Sequence, residues 1–145
     1  MTLLADIEAT LEAAAAYPRA LSRDVYLNLG ENVLEAWIEA RGQTPTTDKK
    51  EGFRLLALHR QGAKGDPSFN ACRETCREIA YRYVCHAQDY PPDGDANTDR
   101  DKQLELLWHL TNHLFLFVSG KMHTEELGEF CCSSKSIRLE TAETI

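Results

Sequence analysis

The sequence predicts an all-α fold, a single-domain helical bundle of five to six helices. Three observations carry that expectation. Apolar residues recur with helical period in almost every long segment, no stretch alternates with the period of a strand, and Pro or Gly punctuates the chain between the periodic runs. With 145 residues the chain has the size of one domain, which buries roughly 68–70% of the surface its unfolded form exposes. The bundle is expected to span residues 1–132, and the Ser/Lys/Thr/Glu-rich segment 133–145 reads as a mobile tail.

The first helix is expected over Thr2 to Ala16, with Leu4, Ile7 and Leu11 on one side and Pro18 ending it. A second runs from about Ser22 to Arg41 on Val25, Leu29, Val33, Trp37 and Ile38; Gly42 suits its C-terminal cap, and Gly30 is expected to weaken its middle. Thr44-Pro-Thr-Thr reads as a loop. A third helix is then expected from about Asp48, because Asp48 and Glu51 have capping-box spacing, running out near Gly62 or Gly65. Asp66-Pro67-Ser68 starts the fourth, which extends to about Ala87. Residues 88–99, rich in Asp and Pro, form the longest connection. The fifth helix covers about Arg100 to Val118, stopped by Ser119-Gly120, and a short sixth is expected over His123 to Phe130.

Charge restricts the partners. The formal net charge is −7, so nucleic acid is not expected, since phosphate binding needs a basic face. The charge is uneven, however: residues 48–82 carry eight basic and five acidic side chains, while both flanks are acidic. Arg54, Arg60, Lys64, Arg73, Arg77 and Arg82 therefore form a candidate interaction patch suited to an acidic protein partner or a small anion. The first residues lack the basic region of a secretory signal, and the strongly apolar stretch 104–118 is too short to span a bilayer. An odd count of five cysteines fits free thiols, so a reducing cytoplasm without a membrane partner is the expected setting.

Three motifs bear on chemistry. Glu105, His109 and His113 succeed one another at spacing four, which places them on one helical face where a divalent metal could bind. Glu105 and His113 lie about 12 Å apart along the axis, too far to share one ion readily. The apolar residues of this helix fill an arc of about 200°, which leaves the three candidate ligands on the face expected to meet solvent. Cys72 and Cys76 lie in the apolar stripe of the fourth helix, where cysteine packs as a small hydrophobe. Cys131 and Cys132 are candidate reactive thiols. Gly62-Ala-Lys-Gly-Asp-Pro-Ser68 resembles phosphate-cradling loops, but no strand precedes it and no Gly-Lys-Ser/Thr closes it, so it reads as a connection between helices.

No nucleophile, base and acid stand in recognisable register. The expected function is that of a non-enzymatic interaction or regulatory protein presenting helix faces, with no cofactor. The wide apolar arc of the fifth helix makes a second copy of the chain a candidate partner, giving a homodimer. The alternative is a metal-binding bundle or metal-dependent enzyme using Glu105, His109 and His113.

Overall fold

The computed structural model describes residues 4–87 and 96–125. Among the described residues there are five α-helices: α1 (Leu4–Ala14), α2 (Arg23–Ala40), α3 (Arg54–Ala63), α4 (Arg73–Ala87) and α5 (Ala96–Thr124). Two short 3-10 helices, Pro18–Ala20 and Pro67–Cys72, lead into α2 and α4. Among the described residues there is no β-strand, only an isolated bridge between Lys50 and Phe53. The all-α bundle is thus the fold, and no described helix is long and apolar enough to cross a membrane.

Local chemistry accounts for most boundaries. Ser22 Oγ accepts from Val25 N at 3.2 Å, capping α2 at its expected start. Past its end, Gly42 adopts φ +80, the left-handed cap conformation that glycine takes without steric cost. Pro67 opens a 3-10 segment rather than a full α-turn, and this tighter coil drives Phe69 into the core. Phe69 is 0% exposed, stacked on Trp37 at 4.9 Å and on His59 at 5.4 Å. Around it, Ile7, Leu11, Leu34, Leu58, Ile79 and Leu107 belong to one continuous hydrophobic cluster that draws on all of α1 to α5.

Four boundaries differ from the sequence reading, the first being α4, which begins at Arg73 after the 3-10 turn rather than at Asp66. The Asp48–Glu51 capping box is not formed, and α3 begins only at Arg54. Instead Glu51 (φ 56) and Gly52 (φ 87) both take positive φ, and Lys50 and Phe53 exchange two backbone hydrogen bonds of 3.0 Å. This tight turn resembles a two-residue hairpin. Arg77 Nη2 donates to Glu51 Oε1 at 3.1 Å, which ties this turn to α4. In turn, α5 does not stop at Ser119-Gly120 but continues to Thr124, because Met122 is 2% exposed in the core and Lys121 pairs with Asp66 and Glu125. Those contacts outweigh the cost of about 1 kcal/mol for one helical glycine. The helix also starts at Ala96, so 96–99 are helical; residues 88–95, most of the expected sixth helix and the tail 133–145 lie outside the described residues.

Much of the wide apolar arc of α5 is buried within the chain, while Leu106, Trp108, Leu110 and Phe117 are half-buried. α5 packs on α1, α2 and α4, burying Leu104, Leu107, Leu114, Phe115 and Val118, while Leu116 is left 57% exposed. Gly30, expected to weaken α2, sits instead where α2 and α3 approach closely: a Cβ there would meet Leu55 Cδ1 at 3.2 Å.

Candidate functional site

The third and fourth helices form the walls of a cavity of about 700 Å³, with Lys50 of the tight turn at its rim. Its cations are Lys50, Arg60, Lys64, Arg73 and Arg77, interspersed with Asn70 and resting on Leu56, His59 and Ala63. Each arrives by a separate device. α3 projects Arg60 one turn after Leu56, a spacing of four that keeps both on one face. The chain then turns at Gly65, whose φ of +80 favours glycine, which leaves Lys64 at the end of α3. Arg73 and Arg77 succeed each other by one turn on α4.

Four of the six patch residues expected from sequence thus converge: Arg60, Lys64, Arg73 and Arg77. The other two do not. Arg54 turns toward α2, pairing with Glu31 at 3.5 Å and with Glu35, while its Nε donates to Thr46 O at 2.9 Å. It holds α2, the 44–53 segment and α3 together. Arg82 is bound to Glu78 at 2.8 Å and reaches Gln103 of α5 at 3.5 Å.

The remaining cations differ in how far they are neutralised. Arg77 and Glu51 form a two-contact pair that raises the guanidinium pKa and lowers that of the carboxylate, by hydrogen bonding first and charge second. Lys50 lies 3.9 Å from the same carboxylate. By contrast, among the described residues no carboxylate lies within ion-pair distance of Arg60, Lys64 or Arg73. A second depression of about 420 Å³ shares Lys50, Arg60 and Lys64 and adds Thr46, Asp48, Lys49, Ala57 and Gln61, so one carboxylate stands among its cations. A third, about 230 Å³, shares Leu56 and Arg77 and is otherwise lined by Glu51, Phe53, Ala80, Tyr81 and Val84. The three make one groove whose two ends differ in character.

Behind the cavity lies a buried polar cluster. His59 is 5% exposed and its Nε2 donates to Phe69 O at 3.2 Å, while the Cys72 thiol donates to the same carbonyl at 3.3 Å. Cys72 and Cys76 are buried in the core, where the sequence placed them, yet they also interact with each other. Hydrogen bonding from Cys76, helped by His59, pulls the Cys72 thiol below the ordinary range, and that same bond together with burial pushes Cys76 above it.

Glu105, His109 and His113 all lie on the exposed face of α5, with His109 edge-on to the Trp108 ring at 5.1 Å. Among the described residues no group of three or more His, Cys, Asp or Glu side chains is arranged to hold a metal ion. Cys131 and Cys132 fall outside the described residues. Sequence reasoning missed Lys50, His59 and Asn70 as cavity residues. The Glu51-Gly52 dipeptide was the one signal for the turn that delivers Lys50.

The fold and the groove define the class: a helical bundle carrying a local cationic face on a chain of net charge −7. No protein-family model, no curated protein and no solved structure matches this chain.

Proposed function

We propose that the chain is a non-enzymatic interaction protein that engages an acidic segment of a protein partner through the cationic groove between α3 and α4. The observation that carries this reading is the set Arg60, Lys64 and Arg73, which line one cavity without an ion-pair partner among the described residues. Elsewhere on the chain the arginines Arg19, Arg41, Arg54 and Arg82 are matched with carboxylates. Like charges held together without compensation are unfavourable in the free protein, and an anionic partner relieves that repulsion on binding. Electrostatic complementarity of this kind favours fast, salt-sensitive association.

The double variant Arg60→Glu, Lys64→Glu tests it, read by fluorescence anisotropy with a labelled hexaglutamate peptide. Both side chains are exposed and leave the core untouched, so the helical circular-dichroism signal is expected to persist. Affinity is expected to fall by roughly tenfold or more, the scale of one to two lost charge-assisted contacts. Equal binding by the variant and the parent protein would overturn the reading.

A further inference from the structure

The groove is not uniformly basic, and its gradient specifies more than an acidic partner. At one end lies the slot of about 230 Å³ formed by Phe53, Leu56, Ala80, Tyr81 and Val84, open to solvent beside a Tyr81 that is 57% exposed. Phe53 makes an edge contact there with the Tyr83 ring at 5.8 Å. At its mouth the Arg77–Glu51 pair cancels most of the local charge. Beyond that junction come Arg60, Lys64 and Arg73, which have no carboxylate within ion-pair distance among the described residues. α3 and α4 run in opposite directions here, since Phe53 at the start of α3 meets Tyr83 near the end of α4. The apolar end and the cationic end are therefore opposite ends of one trough.

We propose that this trough recognises a short peptide motif in which one aromatic or large aliphatic side chain is followed, about four residues away, by a cluster of acidic residues. The spacing follows from the scaffold. Leu56 and Lys64 are eight positions apart on and at the end of α3, or about 12 Å at 1.5 Å per residue. An extended peptide covers that span in about four residues at roughly 3.3 Å each. The anchor supplies desolvated apolar contact, and the acidic cluster supplies orientation and charge complementarity, the usual division between a buried hot spot and a polar periphery. A purely acidic ligand would leave the slot unused, and a purely apolar one would leave the cations unmatched. This inference rests on the acidic-partner reading above and adds the anchor and its spacing.

The test uses labelled decapeptides titrated against the full chain by fluorescence anisotropy. One carries Phe four residues from a Glu-Glu-Glu run, in each chain direction; a second replaces Phe by Gly; a third sets Phe directly beside the run. The first is expected to bind at least tenfold tighter than the other two in one of its directions. Tyr81→Ser and, separately, Val84→Asn should reduce that peptide to the affinity of the Gly control, and Arg60→Glu with Lys64→Glu should weaken all three. If all peptides bind alike and all depend on Arg60 and Lys64, the anchored motif is overturned while the acidic-partner reading stands. If none binds, or binding ignores Arg60 and Lys64, both are overturned.

Discussion

Tyr26 shows how burial of a single residue reaches the stability of the whole chain. Its ring is fully buried, its O–H donates to Pro18 O, and burial pushes the phenol up to about 12. A folded-state pKa above the unfolded value of about 10 contributes stability that is complete below pH 10 and is lost as pH rises toward 12, because only the unfolded phenol ionises in that window. Thermal melts between pH 9 and 11.5 should thus show a steeper loss for the parent protein than for Tyr26→Phe, which itself costs about 1 kcal/mol at neutral pH through the missing hydrogen bond. Parallel curves would exclude Tyr26 as the source. Residue-scale chemistry also separates the candidate patch. Arg60, Lys64, Arg73 and Arg77 were legible as a charge excess in residues 48–82. The structural role of Arg54 was not, because its carboxylate partners Glu31 and Glu35 lie on α2. Arg82 pairs with Glu78 at helical spacing four, a pairing the sequence displays, and only its reach to Gln103 of α5 needed the fold.

At the scale of elements, two helical glycines behave oppositely. A Cβ at Gly62 would come within 2.9 Å of Phe69 Cε2 and 3.1 Å of Trp37 Cδ1, in the tightest part of the core, where Trp37 Nε1 also donates to Gly62 O. Overpacking of about 1–3 kcal/mol is set there against a helix-propensity gain of about 1 kcal/mol. Gly62→Ala is accordingly expected to lower the urea midpoint. Gly120 lies inside α5, and a Cβ added there would meet nothing within 4 Å, so Gly120→Ala should raise stability by about 0.5–1 kcal/mol. If both substitutions moved the midpoint the same way, the packing account of Gly62 would fail. Element boundaries illustrate the same competition: the capping-box pattern gives way to the tight turn at Glu51-Gly52, and the Ser-Gly stop to the contacts of Lys121 and Met122.

For the whole molecule, the decisive quantity is the contrast between a net charge of −7 and a groove in which Arg60, Lys64 and Arg73 have no ion-pair partner among the described residues. Attraction of an acidic peptide then depends on ionic strength more than on buried area. Raising NaCl from about 0.05 to 0.5 M shortens the screening length several-fold, and affinity for the hexaglutamate probe should fall by roughly tenfold. An affinity indifferent to salt would show that the contact is not electrostatic. Among the described residues the exposed large apolar side chains Tyr17, Val25, Tyr81 and Leu116 are spread over different elements rather than gathered on one face. Tyr81 alone among them lines the groove, which is why the anchored-peptide comparison concentrates on that position.

Periodicity and punctuation determined the helical class, the buried placement of Cys72 and Cys76, and the solvent face of Glu105, His109 and His113. Those features depend on spacing along a single helix, which can be counted along the chain. Only the tertiary structure decided where α3 begins, how far α5 runs, which arginines are neutralised, and that Lys50, His59 and Asn70 meet the cations of α3 and α4. Each of those outcomes is settled by contacts between segments remote in sequence, whose energies of about 1 kcal/mol or more equal or exceed the local preferences that the sequence displays.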